Sequence, residues 1–137
     1  MDPTKMFGVF GVSGSGMAAS RLRMELVAQN LAHAQDTDRG DGTAWRRKEA
    51  VFETVLEGEA AGQVRVADVA EDFRTPMTRV KQPGHKHADA EGMVTYPNVN
   101  PIYEMTDLLA ASRAYEANLQ TSRTFRQMVE QALGLAR

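Results

Sequence analysis

Pro97-Asn98-Val99-Asn100-Pro101-Ile102-Tyr103-Glu104-Met105 is the stretch on which the fold turns. Asn100 carries the short polar side chain that accepts from the free N–H groups of a helix's first turn, and Pro101 suits the position after it, where a proline loses no hydrogen bond. The spacing that follows predicts a helix from about Ile102 to Leu135. Met105, Leu108, Ser112, Tyr115, Leu119, Ser122, Val129 and Leu133 advance in alternating steps of three and four, with Arg126 falling on the same seam. A second stripe runs through Ala111, Ala114, Asn118, Phe125, Met128, Ala132 and Leu135. At about 1.5 Å per residue this helix is roughly 50 Å long, more than a compact domain of this size requires.

A matching pattern stands at the other end of the chain, from Met17 to about Ala34. Met17, Met24 and Leu31 are spaced by seven, and Val27 and Ala34 fill the positions between them. Leu22 and Leu26 lie on a different side, so this helix also carries two apolar stripes. Residues 1–16 are rich in Gly and Ser, poor helix formers, and are expected to be a flexible leader, with Ser13 or Ser15 capping the helix. Lys5 followed by Met6–Val12 resembles a secretory signal only faintly, because the apolar run is short and holds two glycines; an uncleaved N-terminus is the expectation.

Between the helices the period changes. Asp36–Thr43 is a polar turn, Trp45–Leu56 reads as a strand, Gly58–Gly62 as a turn, and Val64–Val69 and Gly92–Tyr96 as two more strands. Pro76, Pro83 and Pro97 keep every element of this part short. The expected fold is mainly α: long N- and C-terminal helices pair as an antiparallel coiled-coil-like hairpin, with a small β-rich insert between them. Residues 17–35 and 101–135 form the terminal-helix region and residues 36–100 the β-rich middle.

Several function classes fall away on composition and motif. A net charge of −2 without a basic stripe argues against nucleic acid. There is no cysteine for a disulfide or a thiolate metal site. Gly11–Gly16 lacks the Gly-Lys-Ser/Thr ending and the preceding strand of a phosphate loop. His85, His87, Asp89 and Glu91 alternate on one side of an extended segment but have no further ligands nearby in sequence, and a solvated turn after Pro83-Gly84 is the simpler account. No catalytic, cofactor-binding or metal-binding residue is assigned.

What remains is two helices with more apolar sides than one partner helix covers. Either the β segments fold back over the spare stripes in a small monomeric bundle, or other molecules cover them. The candidate interface residues are Met17, Leu22, Met24, Leu26, Val27 and Leu31 on the first helix. On the second they are Met105, Leu108, Tyr115, Leu119, Phe125, Met128, Val129 and Leu133. Burial supplies most of a helix's stability in a protein, so uncovered stripes would leave both ends marginal before assembly.

The residues themselves shift that balance. Tyr96–Met105, with its Pro-Asn-Val-Asn core, resembles the entry to the last helix of the flagellar basal-body rod proteins, and Ala111-Ser112-Arg113-Ala114-Tyr115-Glu116-Ala117-Asn118 resembles the signature of that helix. Arg21-Leu22 and Val27-Ala28-Gln29-Asn30-Leu31-Ala32 are similar to the axial-protein motif of the first helix. Trp45-Arg46-Arg47-Lys48 and Ala88-Asp89-Ala90-Glu91-Gly92 are similar to middle segments of the same proteins. The resemblance runs in order over about residues 17–135. It implies a structural, non-enzymatic subunit of the proximal rod, located in the periplasm-spanning part of the basal body. It implies delivery by the flagellar type III export apparatus without a cleaved signal peptide, and assembly through the terminal helices into a torque-transmitting shaft. The implied partners are further copies of the chain, other rod subunits, adaptor proteins between membrane ring and rod base, and the export apparatus, with no nucleic acid, small-molecule substrate or cofactor. A helical adaptor or export-chaperone-like module that uses the same stripes on one partner is the alternative from another class.

Overall fold

A computed structural model describes residues 3–56, 58 and 61–135. Helix α1 spans Pro3–Ala32, strands β1 to β4 span Lys48–Thr54, Val64–Glu71, Thr78–Lys81 and Met93–Tyr96, and helix α2 spans Pro101–Leu135. The helices hold 30 and 35 of the 137 residues, about half of the chain, so a mainly α description is too strong.

Helix α2 starts as its sequence dictates. The Asn100 side chain accepts from the Ile102 N–H at 3.0 Å, and the Asn100 carbonyl accepts from the Glu104 N–H at 3.0 Å. Helix α1 departs from expectation. The Gly/Ser-rich leader is helical from Pro3 onward, with Met1 and Asp2 outside the described residues. Neither Ser13 nor Ser15 caps anything, since both lie inside the helix. Ser15 Oγ donates to the Val12 carbonyl and accepts from the Val64 N–H, and Ser13 is buried. Two of the helix's glycines, Gly11 and Gly16, pass neighbours that leave no room for side chains. A Cβ on Gly16 would lie 2.8 Å from Asn118 Nδ2, and one on Gly11 would lie 2.4 Å from Gln63 Nε2. Helix propensity counts a glycine as a loss of about 1 kcal/mol; it cannot see the close approach that the glycine permits.

Contacts that join the helices have α1 numbers rising as α2 numbers fall. The Phe10 and Phe125 rings meet edge-on at 4.9 Å, Gly16 faces Asn118, Arg23 Nη2 lies 3.2 Å from Asp107 Oδ1, and Asn30 Nδ2 lies 3.1 Å from Glu104 Oε2.

The middle holds two separate antiparallel ribbons, β1–β2 and β3–β4. In the first, Val51 pairs with Asp68 and Phe52 with Val66, leaving Ala67 as a bulge. This ribbon packs along α1 through the Val64 and Gln63 contacts already given. β1 begins three residues later than the sequence suggests because the backbone before it is committed elsewhere: Trp45 N–H donates to the Asp36 carbonyl and Arg47 N–H to Asn98 Oδ1. The turn expected at Gly58–Gly62 is closed by Gly62 N–H to the Val55 carbonyl at 2.7 Å; Glu57, Glu59 and Ala60 lie outside the described residues. Strand β3 was hidden in the sequence by its exposure, because all four of its residues face solvent and none carries an alternating pattern. Gly92, expected in the last strand, instead turns the chain into it with a φ of +74°.

The apolar core is small. Among the described residues only Leu26, Val27, Ala44, Val94 and Ala111 are buried hydrophobics. The accessible surface is 9613 Å², against about 7,100 Å² for a compact monomer of this mass.

Candidate functional site

The structure offers two features that could carry function: a buried polar hub where three sequence motifs meet, and apolar helix faces left uncovered.

The hub lies where the end of α1, the start of β1 and the start of α2 converge. Asn30 is 0% and Glu104 1% exposed. Asn30 Oδ1 accepts from the Lys48 N–H at 2.9 Å, while its Nδ2 donates to the Lys48 carbonyl at 2.9 Å and to Glu104 Oε2 at 3.1 Å. One asparagine thus closes the backbone at the start of β1 much as a neighbouring strand would. Glu104 Oε1 takes the Arg47 Nε hydrogen bond at 2.5 Å, and Arg47 reaches Glu49 at 3.1 Å and Asp107 at 3.5 Å. Burial pulls the Arg47 pKa down, but the hydrogen bond and charge of Glu104, then of Glu49, outweigh it and hold the guanidinium above its usual value. Asn98 extends the network: its Oδ1 accepts from the Arg47 N–H at 2.8 Å, and its Nδ2 donates to the Asp72 and Thr75 carbonyls at 2.8 and 3.1 Å. Asn98 is therefore a strut between loops, and Asn100 alone is the cap. Above the hub, Trp45 stacks on His33 with ring centroids 4.0 Å apart.

Asp72 anchors the next turn. It accepts the Thr75 hydroxyl at 2.6 Å and the Thr75 and Arg74 N–H groups at 3.0 and 2.8 Å. Those hydrogen bonds, the hydroxyl first, hold its carboxyl below the ordinary carboxylate range against the opposing effect of burial. The histidine segment serves connection as well. His87 Nδ1 lies 2.8 Å from Thr37 Oγ1, and Asp89 accepts from the Glu91 and Met93 N–H groups at 2.9 and 2.8 Å. No cluster of three or more His, Asp or Glu able to hold a metal occurs among the described residues.

The candidate interface residues divide by burial. Leu26 and Val27 are buried; Met17, Leu22, Met24 and Leu31 on α1 are half-buried. On α2, Leu108, Tyr115, Leu119, Phe125 and Val129 are half-buried, whereas Met105, Met128 and Leu133 are exposed at 57, 53 and 65%. The α2 face toward α1 is thus assembled from both predicted stripes: Glu104, Leu108, Ala111, Tyr115, Asn118, Ser122, Phe125 and Val129. Met105 and Leu133, placed on the seam by spacing, point away from it. Leu26, on a different side from the Met17–Met24–Leu31 stripe, is also inside. An i, i+3, i+4 pattern identifies a stripe but not its partner, and here the inward stripe begins at a glutamate, which apolar spacing passes over. Ile102, Tyr103 and Leu109, at 73, 72 and 60% exposure, extend the outward apolar face. Asn30, Arg47 and Glu104 were not singled out by chemistry, although each stands inside a quoted motif.

Comparison with known proteins places these features. Residues 90–135 match the family described as flagellar basal body rod FlgEFG protein C-terminal. The flagellar basal-body rod protein FlgC of Salmonella typhimurium is 37% identical over 131 residues, covering 95% of this chain and 97% of the relative. FlgC of Aquifex aeolicus is 37% identical over 126 residues, covering 91 and 92%. FlgC of Borreliella burgdorferi is 30% identical over an alignment of 148 residues, covering 95 and 97%. With likeness of this depth running over nearly the whole length, the chain belongs to the FlgC family of flagellar basal-body rod proteins.

Proposed function

We infer that this chain, a structural subunit of the bacterial flagellar basal-body rod and not an enzyme, enters the rod by burying the outer faces of its two helices against neighbouring subunits. The observation that carries this is the surface excess. The chain exposes 9613 Å², roughly 2,500 Å² beyond a compact monomer of its mass, and Ile102, Met105, Leu109, Met128 and Leu133 lie within that exposed area. Exposed apolar side chains grouped on a helix face mark contact with other molecules.

In this reading α1 and α2 pair as an antiparallel, coiled-coil-like hairpin along the contacts from Phe10–Phe125 to Asn30–Glu104. Residues 17–35 and 101–135 form the assembly region, joined by the helical turns of residues 3–16, and residues 36–100 brace one end. The other interface residues, from Met17 and Leu22 to Tyr115 and Val129, hold the pair together and line the clefts into which neighbours pack. Partners are further copies and other rod subunits, with adaptor proteins at the rod base. Delivery is through the flagellar type III apparatus, a route that needs no packed helix. No helix among the described residues is long and apolar enough to cross a membrane.

Met105→Asp tests the reading. Met105 is exposed, so the isolated protein should melt within about 0.5 kcal/mol of wild type, as surface substitutions do. Export should persist, while basal bodies lacking a complete rod accumulate and swimming is lost. Wild-type swimming by this mutant would refute the outward-face model.

A further inference from the structure

We propose that the Asn30–Arg47–Glu104 hub is a register lock, holding α1 and α2 in one axial alignment that their seam alone does not specify. The inference rests on the reading of the two helices as an antiparallel pair.

Away from the hub the seam is held by the Phe10–Phe125 rings, by Gly16 against Asn118 and by the partly exposed Arg23–Asp107 pair, none of which carries the penalty of a buried charge. At its middle Gly16 of α1 meets Asn118 of α2, and the buried residues nearest them along each helix, Ser13, Ser20 and Ala111, are small. A slide by one turn, about 5.4 Å, brings small residues against small residues again. The large apolar side chains repeat at three- and four-residue steps on more than one side of each helix, so they also find partners after a slide.

The hub has one solution. Both oxygens of Glu104 are taken, one by Arg47 and one by Asn30, and Asn30 is fixed in turn by both backbone groups of Lys48. Moving α1 by a turn along α2 takes Asn30 away from Glu104 and strands a carboxylate that is 1% exposed. Buried ion pairs are poor net stabilisers, and well-packed apolar replacements often match them, but losing one partner is severe. A single polar group in a helical seam fixes register by the same asymmetry. The hub penalises every alignment but one.

The chain has no cysteine, so introduced pairs report alignment directly. Gly16→Cys with Asn118→Cys tests the native register, and replacing both residues removes the steric conflict a side chain at Gly16 would meet. Gly16→Cys with Ser122→Cys tests a slide of one turn. Each pair is oxidised in the purified full-length protein, with the hub intact, with Arg47→Met/Glu104→Leu, and with Glu104→Gln. With the hub intact the 16–118 bridge should form at least roughly tenfold more readily than 16–122, because a disulfide needs Cα atoms within about 7 Å. In the Arg47→Met/Glu104→Leu background the 16–122 bridge should rise to within about twofold of 16–118, as expected once the penalty for an unpaired buried charge is gone. Glu104→Gln should give an intermediate ratio, and it decides the question if the double replacement does not fold. An unchanged preference for 16–118 in the hub variants overturns the lock while leaving the pairing intact. Absence of any preference with the hub intact overturns the pairing itself, and the lock with it.

Discussion

The contacts between α1 and α2 near Asn30–Glu104 and near Phe10–Phe125 are of opposite kinds. At the Asn30–Glu104 end, buried polar groups meet in a network in which no buried side-chain nitrogen or oxygen lacks a partner among the described residues. At the Phe10–Phe125 end two aromatic rings meet edge-on, and Met128, Leu133 and Leu135 remain exposed. Directional interactions fix the inner side of the Asn30–Glu104 end, while exposed apolar side chains, Ile102, Met105 and Leu109 on its outer side and Met128 and Leu133 further along α2, are left for whatever neighbour arrives. A subunit that must be well formed at one point and completed by others elsewhere is suited by that division.

The contrast can be broken most severely at Arg47. Arg47→Met leaves Glu104 buried with only Asn30 to satisfy it, and should cost about 3–5 kcal/mol, the range for a buried charge that loses its partner. Urea unfolding followed by far-UV circular dichroism measures it. Asn30→Ala should cost less, about 1–3 kcal/mol, by orphaning the Lys48 N–H and carbonyl, and hydrogen exchange at the Lys48 amide should speed up alongside.

Acid should act on the same end through Asp72. Its folded-state pKa lies below the value of about 3.9 for the unfolded chain, so the stability it contributes is fully present above that value and is lost as pH falls through the depressed folded pKa. Asp72→Asn should therefore be less stable than wild type near neutral pH by about 1 kcal/mol, as for a hydrogen-bond acceptor that loses its charge. The gap should close below pH 4, read from melting curves across pH. A gap that widens in acid would contradict the assignment.

The smallest effects distinguish glycines along α1. Nothing lies within 4 Å of a Cβ built on Gly14, so Gly14→Ala should gain the helix-propensity difference of about 0.5–1 kcal/mol. Gly16→Ala should gain less or nothing, because Asn118 must move to admit the methyl group. Equal gains at both positions would mean that α2 does not approach α1 at Gly16.

Local chemistry was well written in the chain. The Asn100-Pro101 start of α2, the end of the first helix, expected near Ala34 and found at Ala32, and the polar turn after it follow from rules that act within a few residues, and the structure places them close to where those rules do. The turn is a case in point: Asp38 Oδ1 gathers the N–H groups of Gly40 and Gly42 at 2.8 and 2.9 Å, a local Asx arrangement. The candidate interface was legible as a set of apolar residues but not as a division into inward and outward members. Strand β3 left no readable trace, since a four-residue exposed strand has no buried face to impose alternation.

The sequence by itself determined where α2 starts and roughly where α1 stops, the turn-rich character of the middle, and the family, because these depend on propensities, caps and ordered motifs. Only the tertiary structure decided that the glycine-rich leader is helix, that Glu104 and not Met105 faces α1, and that Asn30, Arg47 and Glu104 share one buried site. The reason is distance along the chain. The Asn30–Glu104 and Arg47–Glu104 contacts join residues 74 and 57 positions apart, and whether a glycine or a glutamate is favourable at its place depends on what such remote partners bring to it.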